Sequence, residues 1–76
     1  MPHVVVKLYS GRSEQQKAKL AEEIVKTVTA ALNCGEESVS VGIEDVAPAN
    51  WTKDVYQPDI RNHWETLYKK PGYEPR

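Results

Sequence analysis

Apolar and polar positions alternate at the start of the chain, over residues 2–9. One face of such an extended segment carries Val4, Val6 and Leu8, and the other carries His3, Val5, Lys7 and Tyr9. Alternation of β-prone residues is typical of a strand, because successive side chains point to opposite faces of a sheet. The pattern therefore predicts a first strand, which Gly11 brings to an end.

A helix is predicted to begin at Glu14. Ser13 and Gln16 have the spacing of a capping box, in which each side chain accepts a hydrogen bond from the other residue's backbone. The apolar residues that follow recur at helical spacing: Leu20, Ala21, Ile24, Val25, Val28, Ala31 and Leu32. We expect the helix to end near Asn33, with Gly35 as the left-handed residue past its end.

The second half of the chain predicts one more strand and further helix. Val39, Val41 and Ile43 alternate with polar or small residues over positions 38–44, which indicates a second strand of about seven residues. Asn50 is expected to cap a short helical turn through Tyr56. Pro58 is expected to begin a new helix that runs to Lys70, because proline is well tolerated at a first helical position.

These elements predict an α/β (α+β) fold, with one β-α-β unit and a C-terminal helix in a single domain that covers residues 1–76. Residues 71–76 are expected to form a tail, since Pro71 and Gly72 signal a turn. Two strands joined by a helical crossover are most simply parallel neighbours. A two-stranded sheet is not independently stable, so partner subunits are expected to pair with it.

Charge and cysteine content exclude several classes of function. The 76 residues carry a net charge of −1, with ten basic and eleven acidic residues scattered along the chain, so neither nucleic acid nor an anionic membrane is an expected partner. No signal segment or long apolar span stands out, and we expect a cytoplasmic protein. The single Cys34 excludes an internal disulfide, and no Cys/His cluster has zinc-ligand spacing. Oligomerisation remains as the expected means of stabilisation.

Several short stretches together resemble the 4-oxalocrotonate tautomerase family. They are PHVVVKL at residues 2–8, GRS at 11–13, QQK at 15–17 and SVSV at 38–41. The closing KKPGY at residues 69–73, the Pro2-His3 opening and Trp51 look most like the PptA-type branch of that family. The order and spacing of these stretches cover nearly the whole chain.

The resemblance implies a tautomerase/MIF-like fold, in which two β-α-β subunits form a four-stranded sheet. It also implies a cofactor-independent isomerase that needs no metal and acts on a small 2-oxo or 2-enol acid. Pro2 aligns with the catalytic N-terminal proline, Arg12 with a carboxylate-binding arginine, and Trp51 with an aromatic residue of the pocket. The PptA-like ending favours a homodimer over a hexamer.

The chemistry expected of Pro2 depends on loss of Met1. A proline nitrogen within the chain is an amide without basicity, whereas an N-terminal proline is a secondary amine that can accept a proton. An ordinary α-amino group titrates at about 7.7 to 8.0, and burial or a nearby cation such as Arg12 would lower that value. The competing interpretation is a proline that only permits cleavage of methionine and begins an edge strand.

Each remaining candidate residue also has a structural interpretation. Arg12 lies close to the positive end of the predicted helix, where a carboxylate would be favoured, or it is an exposed solubilising residue. Trp51 either forms an apolar wall of the pocket or packs in the core or an interface. Ser40 stands where the best-known family member has an arginine, and it either lines the pocket or faces solvent. His3 is expected at the surface, and Arg61 is a hypothetical replacement for the missing charge.

These residues and the family resemblance are compatible with three functions. The leading one is an enol–keto tautomerase for a 2-enol monoacid such as phenylenolpyruvate, because Ser40 cannot supply the guanidinium that a dicarboxylate would require. A second is a hydratase, dehalogenase or decarboxylase of unsaturated acids on the same scaffold. A third is a noncatalytic oligomeric interaction module that has kept the β-α-β scaffold.

Overall fold

The computed structural model describes residues 1–74. Strand β1 covers His3–Tyr9, helix α1 covers Glu14–Leu32, and strand β2 covers Ser40–Val46. A C-terminal helical segment, residues 52–66, follows β2 after a short turn. The predicted β-α-β unit followed by a C-terminal helix is therefore confirmed. Of the predicted tail, residues 71–74 form no helix or strand, and residues 75–76 lie outside the described part of the chain.

The two strands are parallel and in register along their whole length, from His3 opposite Ser40 to Tyr9 opposite Val46. The side chain of Asp45 reaches Lys17 of α1 at 2.9 Å, which identifies the face of β2 that α1 covers. Alternation places the half-buried Val41 and Ile43 on that same face. Helix α1 therefore packs on one face of the sheet and leaves the other to the C-terminal half of the chain.

The second face of the sheet is covered only at one end. Lys7 pairs with Asp59 and Tyr9 contacts Trp51, so the C-terminal half packs against the carboxyl end of β1. Val5, two residues before Lys7 on this face, remains 46% exposed. The amino-terminal end of this face is thus open to solvent in the single subunit.

Helix α1 begins as predicted and ends slightly differently. The backbone N–H of Gln16 donates to Ser13 Oγ at 3.1 Å, and that of Ser13 donates to Gln16 Oε1 at 3.0 Å, which confirms the capping box. The left-handed residue at the other end is Asn33, with φ 54° and ψ 52°, and not Gly35. Asparagine adopts this conformation more readily than most residues, so the chain turns two positions early.

The early turn changes the start of β2. A short 3₁₀ turn, Glu36–Ser38, occupies the positions where the strand was expected to begin. Its geometry is set by the backbone N–H of Ser38, which donates to the carbonyl oxygen of Gly35 at 3.1 Å. β2 accordingly begins at Ser40 and ends at Val46, and its length of seven residues agrees with the prediction.

The prediction that Pro58 begins a new helix is wrong. Pro58 lies inside the continuous helical stretch Thr52–Ile60, whose turns have the wide π type. Proline has no N–H and its ring clashes with the carbonyl four residues earlier in an α-helix, and a wider turn relieves that clash. The backbone N–H of Arg61 is shared between the carbonyl oxygens of Tyr56 and Gln57, as a widened turn requires.

Two further expectations in this region differ from the structure. Asn50 lies in a 3₁₀ turn, Pro48–Asn50, and the helix that follows has no side-chain cap. The last helical stretch, Arg61–Thr66, ends four residues before Lys70. Its path is interrupted at His63, whose φ of −122° and ψ of 24° are not helical.

The fully buried core of the subunit is small. Within residues 1–74 only Val55 and Tyr56 have apolar side chains that are buried, with 4% and 3% of their surface exposed. Helix α1 contributes no buried residue, although Ala21, Ile24, Val25 and Val28 of its apolar stripe are half-buried. Much apolar surface therefore remains outside the core, where another subunit can cover it. No helix along residues 1–74 has the length and apolar character that crossing a membrane requires.

Candidate active site

Pro2 is held at the start of the sheet by its carbonyl group. The Pro2 carbonyl oxygen accepts a hydrogen bond from the backbone N–H of Ser40 at 3.1 Å. Pro2 is half-buried, whereas Met1 is fully exposed, with a relative accessibility of 101%. Since Met1 makes no packing contribution, its removal would leave the hydrogen bond that positions Pro2 intact.

Ser40 has a side-chain partner on the open face of the sheet. Its hydroxyl oxygen lies 2.6 Å from Nδ1 of His3, the residue directly opposite it in the strand register. Both residues are exposed. The hydroxyl of Ser40 is therefore already engaged within the subunit, and His3 is a surface residue, as expected.

Arg12 projects from the turn between β1 and α1. Gly11, with φ 117°, provides the left-handed conformation that this turn needs, and Ser13 then caps the helix. Arg12 is exposed, and no carboxylate within residues 1–74 forms an ion pair with it. Its guanidinium therefore has no competing anion in the described part of the subunit.

A cleft of about 160 Å³ lies beside Arg12 on the α1 side of the sheet. The residues that line it lie around the amino-terminal turn of α1: Leu8, Arg12, Gln16, Lys17 and Leu20. Lys17 is committed to two carboxylates, at 2.8 Å from Glu14 and 2.9 Å from Asp45. These hydrogen bonds, to Glu14 first and then Asp45, raise the pKa of Lys17 above its ordinary value. Arg12 is thus the cation in this cleft that an incoming carboxylate can use.

Trp51 belongs to a group of aromatic side chains at the carboxyl end of β1. Its ring meets that of Tyr9 edge to face, with centroids 5.0 Å apart and planes at 77°. Its Nε1–H donates to the hydroxyl oxygen of Tyr73 at 3.0 Å. The ring of Tyr73 in turn lies 6.2 Å from that of the buried Tyr56. Trp51 is half-buried, so part of the indole remains accessible.

The predicted site residues fall into two groups within one subunit. Pro2 and Ser40 lie at the amino-terminal end of β1, whereas Trp51 and Arg12 lie beyond its carboxyl-terminal end. At roughly 3.3 Å per residue, β1 separates the two ends by about 20 Å. One subunit therefore does not bring the nitrogen of Pro2 and the guanidinium of Arg12 together.

Arg61 lies in the helical segment and is exposed. It lines a second cleft of about 320 Å³ with Tyr56, Trp64 and Glu74. None of these neighbours is a predicted site residue. The described residues also contain no group of three or more His, Cys, Asp or Glu side chains placed to hold a metal ion.

Tyr9 and Tyr73 were not predicted to contribute to the site, although both contact Trp51. Alternation in β1 places Tyr9 on the face opposite α1, but nothing local signals which aromatic ring it meets. Tyr73 stands 22 residues after Trp51, in a segment expected to be a tail. Tyr73 contacts Trp51 because the C-terminal segment folds back, which no local pattern in the sequence indicates.

Comparison with known proteins agrees with this arrangement of elements. Residues 2–55 match a family model described as tautomerase enzyme. A probable tautomerase from Xylella fastidiosa is 42% identical over 73 residues, which cover 96% of this chain and 89% of the relative. Tautomerase PptA from Cronobacter sakazakii is 37% identical over 97% of this chain and 99% of its own length. Tautomerase PptA from Pectobacterium carotovorum is 36% identical, with coverage of 96% and 97%.

A small β-α-β subunit with a C-terminal helix is thus matched over nearly its full length by enzymes of the isomerase class. The chain belongs to the tautomerase family. The resemblance to the PptA-type branch is confirmed by the relatives that carry that name. Family membership supports tautomerase activity for this chain.

Proposed function

We propose that this protein interconverts the enol and keto forms of a small 2-oxo acid such as phenylenolpyruvate, with the amine of Pro2 as the proton shuttle. The observation that carries the proposal is the anchoring of Pro2 through its carbonyl oxygen while Met1 projects freely into solvent. Cleavage of Met1 would convert the amide nitrogen of Pro2 into a secondary amine at a defined place.

The proposed reaction needs one group that first accepts and then donates a proton. The free amine of Pro2 takes the proton from the enol hydroxyl at C2, which leaves an enolate. An electron pair of the enolate oxygen then forms the C2 carbonyl as the electrons of the C2–C3 double bond take the proton back from the Pro2 ammonium at C3. Atoms and charge balance without a cofactor, and positioned proton transfer of this kind is typically worth roughly 10² to 10⁴ in rate.

Arg12 is proposed to bind the substrate carboxylate. A guanidinium presents two parallel N–H donors that match a carboxylate, and such charge-assisted hydrogen bonds are among the strongest in proteins. The exposed guanidinium has no ion-pair partner within residues 1–74, so it pays no cost of breaking an internal pair. Trp51 is proposed as the apolar surface for the aryl group, and Ser40 as a minor polar residue beside Pro2.

The complete site is proposed to form between two subunits. Pro2 and Arg12 lie at opposite ends of β1, so two β1 strands placed antiparallel would bring the Pro2 end of one subunit to the Arg12 end of the other. A homodimer with a four-stranded sheet has this geometry, and it would also cover apolar surface that the small core leaves exposed. The proposed compartment is the cytoplasm, with which the free thiol of Cys34 is compatible.

The test is ketonisation of phenylenolpyruvate, followed by ultraviolet absorbance, with protein shown by intact mass to lack Met1. Pro2→Ala should lower kcat/KM at least roughly tenfold, because a primary amine without the ring is less well oriented for proton transfer. Pro48→Ala is the matched control, since Pro48 is an exposed proline in the turn after β2. If Pro2→Ala and Pro48→Ala both match the wild type, the proline mechanism is wrong, and a noncatalytic interaction module becomes the better account.

A further inference from the structure

We infer that Tyr73 is a positioning residue, which holds the indole of Trp51 in the orientation that receives the aryl group of the substrate. The inference rests on the proposed function, because Trp51 is there the apolar surface of the pocket. It goes further by assigning a role to the C-terminal segment, residues 67–74, which crosses back over the aromatic group. It also predicts that the segment affects the binding of substrates that carry an aromatic ring and does not affect the rate of proton transfer.

The hydrogen bond between Trp51 and Tyr73 restricts how the indole can rotate. An indole has a single polar hydrogen, at Nε1, which can act only as a donor. Tyr73 Oη accepts this hydrogen at 3.0 Å. The edge-to-face contact with Tyr9 at 5.0 Å fixes the ring at a second point. Flipping the indole by half a turn would break the first contact, so the two together select one orientation of Trp51.

Tyr73 is itself held in place, as a positioning residue must be. Its ring lies 6.2 Å from that of Tyr56, which is a buried residue with 3% of its surface exposed. Pro71, two residues earlier, is half-buried, and the ammonium of Lys70 lies 5.8 Å from the centre of the Trp64 ring. The segment therefore contacts the helical part of the chain through both Tyr73 and Lys70. A hydroxyl fixed in this way can hold the indole without a large loss of conformational freedom.

The roles of these side chains separate an effect on ring binding from an effect on chemistry. Neither Trp51 nor Tyr73 carries a group that the proposed proton transfer uses. Loosening the indole should therefore weaken the binding of an aryl acid and leave the bound substrate's turnover nearly unchanged. An acid without a ring should bind equally well to either form of the protein.

The test compares Tyr73→Phe with Tyr68→Phe. Tyr73→Phe keeps the ring and removes only the acceptor, and Tyr68, fully exposed at 107% relative accessibility, provides the same chemical change elsewhere. Both variants are made in a Trp64→Phe background, so that fluorescence reports Trp51 alone. The probe is phenylpyruvate, the keto product, titrated at equilibrium. Ketonisation kinetics and competitive inhibition by pyruvate, which lacks the ring, are measured in parallel.

The expected result is a selective loss of aryl affinity in Tyr73→Phe. A hydrogen bond of ordinary net strength predicts a Kd for phenylpyruvate and a KM for phenylenolpyruvate that are roughly two- to tenfold higher. The kcat, and the inhibition constant of pyruvate, should match those of Tyr68→Phe. The emission of Trp51 should also shift in Tyr73→Phe, because the indole N–H has lost its partner.

Several outcomes would overturn the inference. Equal Kd values for phenylpyruvate in the two variants would show that Tyr73 does not hold the binding surface. An equal loss of affinity for phenylpyruvate and for pyruvate would assign Tyr73 a merely structural role. If the parent protein does not bind phenylpyruvate, Trp51 is not a binding surface for the aryl group. Failure of the proposed function is distinct. In that case Pro2→Ala keeps the wild-type rate, while Tyr73→Phe still binds phenylpyruvate more weakly than Tyr68→Phe.

Discussion

The backbone N–H of Ser40 donates to the carbonyl oxygen of Pro2 at 3.1 Å, which extends the pairing of the two strands one residue beyond His3. The second residue of the chain is thereby part of the sheet, although its nitrogen lies at the edge of the fold. The proposed general base must occupy a fixed place and still be reached by substrate from solvent. The Pro2–Ser40 hydrogen bond fixes Pro2 through its carbonyl group, and loss of Met1 would turn its nitrogen into an amine that can accept a proton.

Retention of Met1 should abolish the proposed chemistry without unfolding the protein. The nitrogen of Pro2 is then an amide, which cannot accept a proton, and the rate should fall by roughly 10² to 10⁴. We expect the far-ultraviolet circular dichroism spectrum to be unchanged, since Met1 is fully exposed. The measurement compares one preparation before and after treatment with methionine aminopeptidase. Equal activity of the two forms, verified by intact mass, would contradict the prediction.

Arg12→Ala should raise the KM for phenylenolpyruvate by roughly ten- to a hundredfold, the range that the loss of a charge-assisted hydrogen bond predicts. Arg12→Lys should be intermediate, because an ammonium keeps the charge but loses the two parallel donors. Arg61→Ala is the matched control, since Arg61 is another exposed arginine and lines a different cleft. A larger rise in KM for Arg61→Ala than for Arg12→Ala would assign the carboxylate site to Arg61.

The elements that could be predicted from the sequence are those with local causes. Alternation of Val4, Val6 and Leu8 defines β1 within seven residues, and the capping box of Ser13 and Gln16 places the start of α1. Each of these patterns involves residues that are close in the chain. Packing against the rest of the molecule therefore changes the predicted strand and the predicted helix start little.

The elements in which the structure differs from the prediction depend on tertiary contacts or on backbone conformations that no local sequence pattern indicates. Asn33 and Gly35 both suit a left-handed position, and only the hydrogen bond from Asn33 N–H to the carbonyl of Thr29 shows which one ends α1. Pro58 permits either a helix start or a widened turn. Tyr73 and Trp51 are 22 residues apart in the chain, so no local pattern of helix or strand periodicity indicates that they meet.

Lys17 should make the protein sensitive to alkaline pH. Its pKa is raised in the folded state, first by the hydrogen bond to Glu14 and then by that to Asp45. A lysine of this kind adds stability that is complete below its unfolded pKa of about 10.4 and is lost as the pH rises through the higher folded value. Lys17→Gln should therefore lower the urea midpoint at neutral pH, and the difference from wild type should shrink above about pH 10.4.

Lys53→Gln is the control for Lys17. Lys53 is 80% exposed and, among residues 1–74, pairs only with the adjacent Asp54, whereas Lys17 joins α1 to β2. The urea midpoint of Lys53→Gln should follow that of the wild type at every pH. A constant gap between Lys17→Gln and wild type from neutral to alkaline pH would show that the charge of Lys17 does not stabilise the fold.

The protein should sediment as a homodimer, at twice the subunit mass of 8.6 kDa. Its stability should depend on concentration, because a subunit in which only Val55 and Tyr56 are buried apolar residues within 1–74 would gain much of its apolar burial from a partner. Melting temperatures measured over a hundredfold dilution series should fall as the protein is diluted. A mass of six subunits, or a melting temperature independent of concentration, would contradict the dimer.

The separation of Pro2 and Arg12 along β1 has a genetic consequence. If each site takes Pro2 from one subunit and Arg12 from its partner, a subunit with a defective Pro2 and a subunit with a defective Arg12 complement each other. In the mixed dimer one site carries both defects and the other carries neither. Random exchange of subunits between Pro2→Ala and Arg12→Ala proteins would place about a quarter of all sites in the intact state. Two nearly inactive proteins would then recover activity on mixing.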